Sequence, residues 1–407
     1  MRRWLRDNVG GLPGTFWYLW TGMLITRAGG FVVLFLSLYL TAERGASPSL
    51  AGLLIGAYGV GGAAGSLLSG VLTDRWGRRR TLITAYLAMV ATMVALAFTT
   101  PLPAIGALVG LLGLVQSMPG PALIAAMVDV VPEADRPRAF NLEYWALNLG
   151  TAIASLLAGQ LAEASYTALF LVDAASTAAA LALVVWRVPE TFTASRTPSA
   201  AGGGFRRVAR DRHFLAFTGL TLLFAVVVTQ APTIMPIAMA QDGLGPSAYG
   251  RVMALGALLI IVGQLFVPRL IGGHRKHRVL ALAAVLAGLG YGALAFADHL
   301  WFYLVAAVAW NVGQMLAAPP NAQINAELAP PALRGRYQSV FYLTFPAAAF
   351  IAPAAGGFAL EHLGDPHWVI AGGLGLVAAG LHLLAGPGRE RHVAALRARP
   401  EPDIVRS

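Results

Sequence analysis

Gly70-Val71-Leu72-Thr73-Asp74-Arg75-Trp76-Gly77-Arg78-Arg79-Arg80 joins two apolar runs, residues 49–71 and 81–99. A helix crosses the hydrocarbon core with about 20 mostly apolar residues, so each run is long enough to span a bilayer. The joint holds Asp74 and four arginines and must lie in water. Moving outward from it, ten more apolar stretches can be read, near 15–41, 102–131, 139–161, 165–186, 214–239, 248–270, 279–297, 299–327, 337–360 and 367–385. Most joints between them are short and carry turn or charged residues, such as Glu43-Arg44-Gly45, Asp242-Gly243 and Gly364-Asp365-Pro366.

The composition agrees. Hydrophobic residues make up 57% of the 407 and charged residues 12%, against about 25% charged in an average soluble domain. Mean hydropathy is +0.66. A soluble globular protein, a disordered chain and a coiled coil are all excluded. In hydrocarbon the backbone of such runs must hydrogen-bond to itself, so the fold class is all-α and polytopic. Arg2, Arg3 and Arg6 precede the first run, and no small-residue cleavage pattern follows it, so an uncleaved first span is expected. The longest polar stretch, 187–213, contains Thr197-Pro198-Ser199 and Gly202-Gly203-Gly204 and reads as a flexible linker. The expected organisation is a six-helix bundle over 1–186, a cytoplasmic linker over 187–213, a second six-helix bundle over 214–385 and a polar, partly disordered cytoplasmic tail over 386–407. With both termini inside, 26 of the 29 basic residues fall on the cytoplasmic side. That asymmetry sets the orientation and accounts for the net charge of +10 without a polyanionic partner.

The chain also repeats itself at a constant offset of 198 residues. Pro48, Ser49 and Gly52 meet Pro246, Ser247 and Gly250; Arg78 and Arg80 meet Lys276 and Arg278. Gln116 meets Gln314, Asp129 meets Glu327, and Gly159 and Glu163 meet Gly357 and Glu361. Coincidences of Ala or Leu would mean little in so apolar a chain, but Pro, Gln, Arg and acids are scarce. Two parallel six-helix halves are implied, with a site between them about which they can rock.

The stretch Gly70 to Arg80 resembles motif A of the major facilitator superfamily, G-x-L-x-D-R-x-G-R-R, here carried by Gly70, Asp74, Arg75, Gly77 and Arg78. A weakened copy follows in loop 8–9, and Val188-Pro189-Glu190-Thr191 resembles the P-E-T that follows span six in many members. The resemblance covers the whole chain and implies twelve helices in two pseudo-symmetric bundles. It further implies a cytoplasmic latch in which Asp74 sits at a helix N-terminus and Arg78 pairs with Asp129. The antiporter signatures are incomplete. Gly113 stands where R-x-x-Q-G has its Arg, and Ala154-Ser155 replaces the Gly-Pro of the span-five motif.

Ionisable groups inside spans are expensive and are functional candidates. Arg27 lies about 18 Å into span one by helix rise and must face an acid, carbonyls, water or an anionic substrate. It is a candidate substrate anchor, or a fixed cation beside a proton-carrying acid; a structural ion pair is the plainer alternative. Asp173 in span six is a candidate proton carrier, with helix–helix hydrogen bonding set ahead of it. Glu143 in span five can reach Arg27, or pair with Arg136 or Arg138 in the loop. Gln116, Asn148, Gln230, Asn311 and Gln314 are candidates for substrate contact or interhelical bonding. Tyr39, Tyr58, Tyr144, Trp145, Trp310 and Tyr342 could give an aromatic cavity, whereas Trp4, Trp17, Trp20, Trp186, Trp301 and Trp368 are expected at the interfaces. Pro119, Pro121, Pro319 and Pro320 are expected to bend spans four and ten.

No cysteine, no metal-spaced histidine pair within a span, no phosphate loop and no nucleophile–base set can be found. An enzyme, a metal site, a cofactor, direct ATP drive and nucleic-acid binding are therefore not expected. The expected function is secondary active transport: proton-coupled efflux of small amphipathic or hydrophobic compounds by alternating access, as a monomer in a bacterial cytoplasmic membrane. Its partners are then a small-molecule substrate, protons and the lipid bilayer, with the proton gradient as driving force. Proton-coupled uptake of a small polar solute or peptide is the second reading, and a membrane receptor or enzyme on the same scaffold the third.

Overall fold

The computed structural model describes residues 10–191, 204–264, 266–330 and 333–397. The N-terminal basic cluster, Trp4, the centre of the linker and the end of the tail lie outside the described residues.

Among the described residues twelve helical spans are present. In order they are Gly14–Glu43, Pro48–Arg75, Arg78–Phe98, Leu102–Val130, Glu133–Ala164, Tyr166–Arg187, Arg212–Thr233, Pro246–Gly263, Lys276–Phe296, Leu300–Leu328, Arg336–Leu363 and Pro366–Ala394. Their outward faces keep large apolar side chains exposed, such as Leu67, Phe98, Leu289 and Leu384, as a lipid-facing surface requires. Packing repeats between the halves. Span 2 lies along span 4 as span 8 lies along span 10, and span 3 along span 6 as span 9 along span 12.

The halves touch through spans 2 and 11 and spans 5 and 8, and they touch at one end. Gly52 on span 2 meets the backbone of Pro353 and Gly357, and Gly250 on span 8 meets that of Ser155 and Gly159. A β-carbon at either glycine would overlap a backbone oxygen, so only glycine permits this approach. Toward the other end the same helix faces part. Val71 on span 2 and Tyr342 and Phe345 on span 11 are exposed, as are Tyr144 and Trp145 on span 5. The joined end carries Glu43, Glu163, Asp242, Asp298, Glu361 and Asp365 and is called the acidic end. The parted end carries the loops rich in arginine and is called the basic end.

Spans 1 and 7 are both broken, at corresponding places. Span 1 runs as Gly14–Ala28, then Val32–Leu38 after Gly29-Gly30, then a wider turn over Tyr39–Glu43. Span 7 runs as Arg212–Val228, Gln230–Thr233 and Met235–Gln241. Span 4 breaks at Met118, before Pro119, whereas span 10 remains one helix through Pro319 and Pro320. Two expectations are corrected. The polar segment from Gly386 is not loose up to Arg397, because the last helix runs from Pro366 to Arg397. Burial of Arg389 and Val393, with Gly386 packed on His277, overrides its polar composition. Trp368 is no interfacial anchor; it is buried and stacks on Tyr291.

Candidate functional site

Two cavities meet on either side of Thr151, which lines both. The first, about 230 Å³, lies in the first half and is lined by Thr26, Arg27, Tyr58, Gln116 and Glu143 among apolar groups. The second, about 290 Å³, is lined by Asn148, Thr229, Met253, Trp310, Asn311 and Gln314. Gln314 also lines a third space that leads past Tyr144 and Gln264. The path therefore runs from the centre toward the parted, basic end.

Arg27 is exposed into the first cavity. Its place follows from close helix approach, since a β-carbon at Gly150 on span 5 would lie 2.5 Å from Cβ of Arg27. Among the described residues no hydrogen bond or ion pair holds its guanidinium. Glu143 faces the same cavity within electrostatic reach of Arg27 and without direct contact. The loop pairing open to Glu143 in the sequence is not made. Arg138 pairs with Asp135 at 3.5 Å, and Arg136 donates to the carbonyl of Val128. Gln116 accepts a hydrogen bond from the hydroxyl of Tyr58. Asn148 and Asn311 donate to the carbonyls one turn back, of Tyr144 and Ala307, and both line the second cavity.

Asp173 is elsewhere. It is buried, and its Oδ2 accepts hydrogen bonds from the backbone N–H groups of Phe31 and Val32, both at 3.0 Å. A carboxylate here caps the second piece of span 1, whose first N–H groups have no partner of their own across the break. It is absent from the lining of both central cavities. Gln230 is buried against Gly356 of span 11, next to the cavity-lining Thr229 and Ala231. Tyr39 is at the acidic end, where its hydroxyl accepts from Nε of Arg44 at 2.8 Å and its ring packs on Phe170. The structure thus brings Arg27, Glu143 and Gln116 together, and Asn148, Asn311 and Gln314 beside them. Asp173, Gln230 and Tyr39 are not brought into that group.

At the basic end Nε of Arg78 pairs with Asp129 at 2.9 Å, and Nη1 of Arg78 donates to the carbonyl of Thr73. Gly77 adopts φ +97°, which lets the chain turn into span 3. Glu190 accepts from the backbone N–H of Arg78 at 2.9 Å, and Thr191 donates to Asp129 at 3.3 Å. The P-E-T segment therefore caps span 3, a role that the sequence reading left unassigned. Gly70 has open space around it, and Asp74 and Arg75 are exposed at the C-terminal end of span 2. The expectation that Asp74 sits at a helix N-terminus is not met in this arrangement, since Asp74 lies in the last turn of span 2 and is exposed. The second half repeats the ion pair, Lys276 with Glu327 at 2.6 Å.

At the acidic end each half caps a helix of the other. Glu361 on span 11 accepts from the N–H of Ser49 at 2.8 Å, and Glu163 on span 5 accepts from the N–H of Ser247 at 3.2 Å. These are repeat-related residues bonding across the molecule, and the offset that pairs them in sequence could have pointed to them.

Twelve spans, two packing-equivalent halves and a central cavity define a multi-pass membrane transporter. The family profile of the Major Facilitator Superfamily matches residues 19–277 and 231–405, and the chain belongs to that superfamily. It is 25% identical over 355 residues to a Na(+), Li(+), K(+)/H(+) antiporter of Planococcus maritimus, covering 78% of this chain and 83% of that one. It is 24% identical over 378 residues to the multidrug resistance protein MdtH of Klebsiella pneumoniae (strain 342), covering 89% and 92%. Among solved structures, that of a POT family transporter in complex with 5-aminolevulinic acid superposes with a TM-score of 0.81 at 14% identity, over 94% of this chain and 97% of that one. At that identity the likeness is one of fold. The relatives are transporters, and the chain is not an enzyme.

Proposed function

We propose that this transporter exports small amphipathic or hydrophobic compounds in exchange for protons, by alternating access. The observation that carries the reading is the placement of Arg27 and Glu143 in one largely apolar cavity, close enough to sense each other and too far apart to neutralise each other. An apolar wall favours an amphipathic guest. An acid beside a fixed cation can take up a proton or exchange it for a cationic group, because its affinity for either depends on whether the other is there. The antiporter and multidrug relatives support exchange and efflux. The protein is read as working alone in a bacterial cytoplasmic membrane, with the basic end and both termini inside, the proton gradient as its only drive and no bound cofactor. In this orientation the cavity faces the cytoplasm, where an exporter loads.

The test uses purified protein in liposomes with an imposed pH gradient and a panel of lipophilic cations and neutral amphiphiles. Accumulation should follow the gradient and stop when it is collapsed. Gradient-independent equilibration would leave a transporter without proton coupling, and movement of solute together with protons would make it an importer. In the same assay Glu143→Gln should lose gradient-driven accumulation while keeping passive exchange.

A further inference from the structure

A second polar site lies at the basic end of the second half, away from the central cavity. Arg389 on span 12 is 4% exposed, and neither Nη1 nor Nη2 has a hydrogen-bond partner. Its guanidinium stacks over Phe217, 5.3 Å from the ring centre, and borders a pocket of about 330 Å³ with Arg275, Lys276 and His274 at its mouth. The two acids in that pocket are already engaged. Glu327 holds Lys276 at 2.6 Å, and Glu390 holds Nδ1 of His277 at 2.6 Å. A buried guanidinium with two free nitrogens is costly to leave unmatched, since burying a charge without its hydrogen bonds costs several kcal/mol by about any measure.

The internal repeat shows what the site lacks. In the first half, the N-terminus of span 3 at Arg78 and Arg79 is met by the carboxylate of Glu190, at 2.9 and 3.4 Å. Shifted by 198, Arg78 and Pro189 become Lys276 and Pro387, but Glu190 becomes Gly388 and Thr191 becomes Arg389. The second half has a glycine at the capping position and a cation after it, and its nearest carboxylate, Glu390, bonds the His277 side chain and not the backbone of span 9. Span 9 accordingly starts at Lys276 with no side-chain cap. The buried guanidinium and the helix N-terminus beside it lack a hydrogen-bonded anion, since the carboxylates of Glu327 and Glu390 act on Arg389 only from across the pocket.

We infer that this pocket binds a phosphate group, held by Arg389 and the N-terminus of span 9, with Arg275 at its entrance. Its place, at the arginine-rich end of span 12, is where a basic pocket between spans can meet the phosphate of a lipid headgroup. A free phosphate has the same chemistry, so the experiment separates the two sources. Full-length protein in neutral detergent is titrated with short-chain phosphatidylglycerol, with phosphatidylcholine, and with inorganic phosphate. Thermal stability and native mass spectrometry report binding. Phosphatidylglycerol should bind and stabilise, and Arg389→Gln should weaken it by about tenfold or more, the loss expected for a charged, hydrogen-bonded contact. Stabilisation by inorganic phosphate alone, lost in the same variant, would assign the site to a soluble anion. Arg275→Gln, at an exposed position, should weaken binding without disturbing the core, so the test survives if Arg389→Gln folds poorly. Arg251→Gln at the opposite end should leave binding unchanged. Equal binding of every ligand by wild type, Arg389→Gln and Arg275→Gln would overturn the proposal.

Discussion

Arg27 and Asp173 are the two charges deepest in the first half, and the structure gives them unlike surroundings. Arg27 has a cavity and no partner; Asp173 has two backbone donors and no cavity. Their replacements should therefore behave differently. Arg27→Ala should abolish or redirect transport with little effect on unfolding temperature, since no hydrogen bond or ion pair is lost; unaltered kinetics in reconstituted vesicles would make Arg27 idle. Asp173→Asn keeps a carbonyl oxygen that can accept both N–H bonds, which neutral acceptors make at about half the strength of a carboxylate. It should retain most transport and lower stability modestly, whereas Asp173→Ala leaves two buried donors unmet and should cost about 2–4 kcal/mol. Complete loss of transport in a well-folded Asp173→Asn protein would show instead that the carboxylate carries a proton. Depth alone made both residues candidates in the sequence. It could not separate them, because what distinguishes them is the break at Gly29-Gly30, which leaves N–H groups for Asp173 to cap. Glycine pairs in an apolar helix leave no periodic signal of such a break.

At the scale of elements, the crossed caps of Glu163 and Glu361 hold the acidic end shut. Each removes an acid from water only slightly, so each alone contributes little, but both break together when the halves part. Glu163→Gln combined with Glu361→Gln should shift the population toward opening at the acidic end. The chain has no cysteine, so spin labels at Ala42→Cys and Gln241→Cys can report the distance across that end without a background. An unchanged distance distribution in the double variant would mean that the glycine contacts alone keep it closed. Span number was legible in hydropathy, the bridge from Arg78 to Asp129 in the resemblance to motif A, and the constant offset marked Lys276 and Glu327 as the equivalent residues. Hidden were the breaks in spans 1 and 7 and the continuation of span 12 to Arg397. The first depends on hydrogen bonds between distant segments. The second depends on burial of Arg389 and Val393, which local polarity argues against.

For the whole molecule, the basic residues predict which end faces the cytoplasm. Impermeant thiol reagents added to intact cells should label Gln241→Cys and not a cysteine placed at Arg80. The reverse pattern would invert the orientation and turn the cavity outward. Most of the architecture was readable because a bilayer admits so few solutions. The central cavity was readable only as a set of candidates, since which polar groups share a space depends on how helices rotate about their axes. The glycine contacts at the acidic end have one more consequence. Gly52 and Gly250 touch the opposing backbone only while that end is closed. A single methyl at either, by alanine substitution, would act as a wedge that penalises one state and leaves the other untouched. If the wedge costs about 1–3 kcal/mol, as overpacking does, the ratio of the two states changes by roughly 5- to 150-fold. Turnover in this protein can thus be set, by selection or by design, at positions remote from anything the substrate meets.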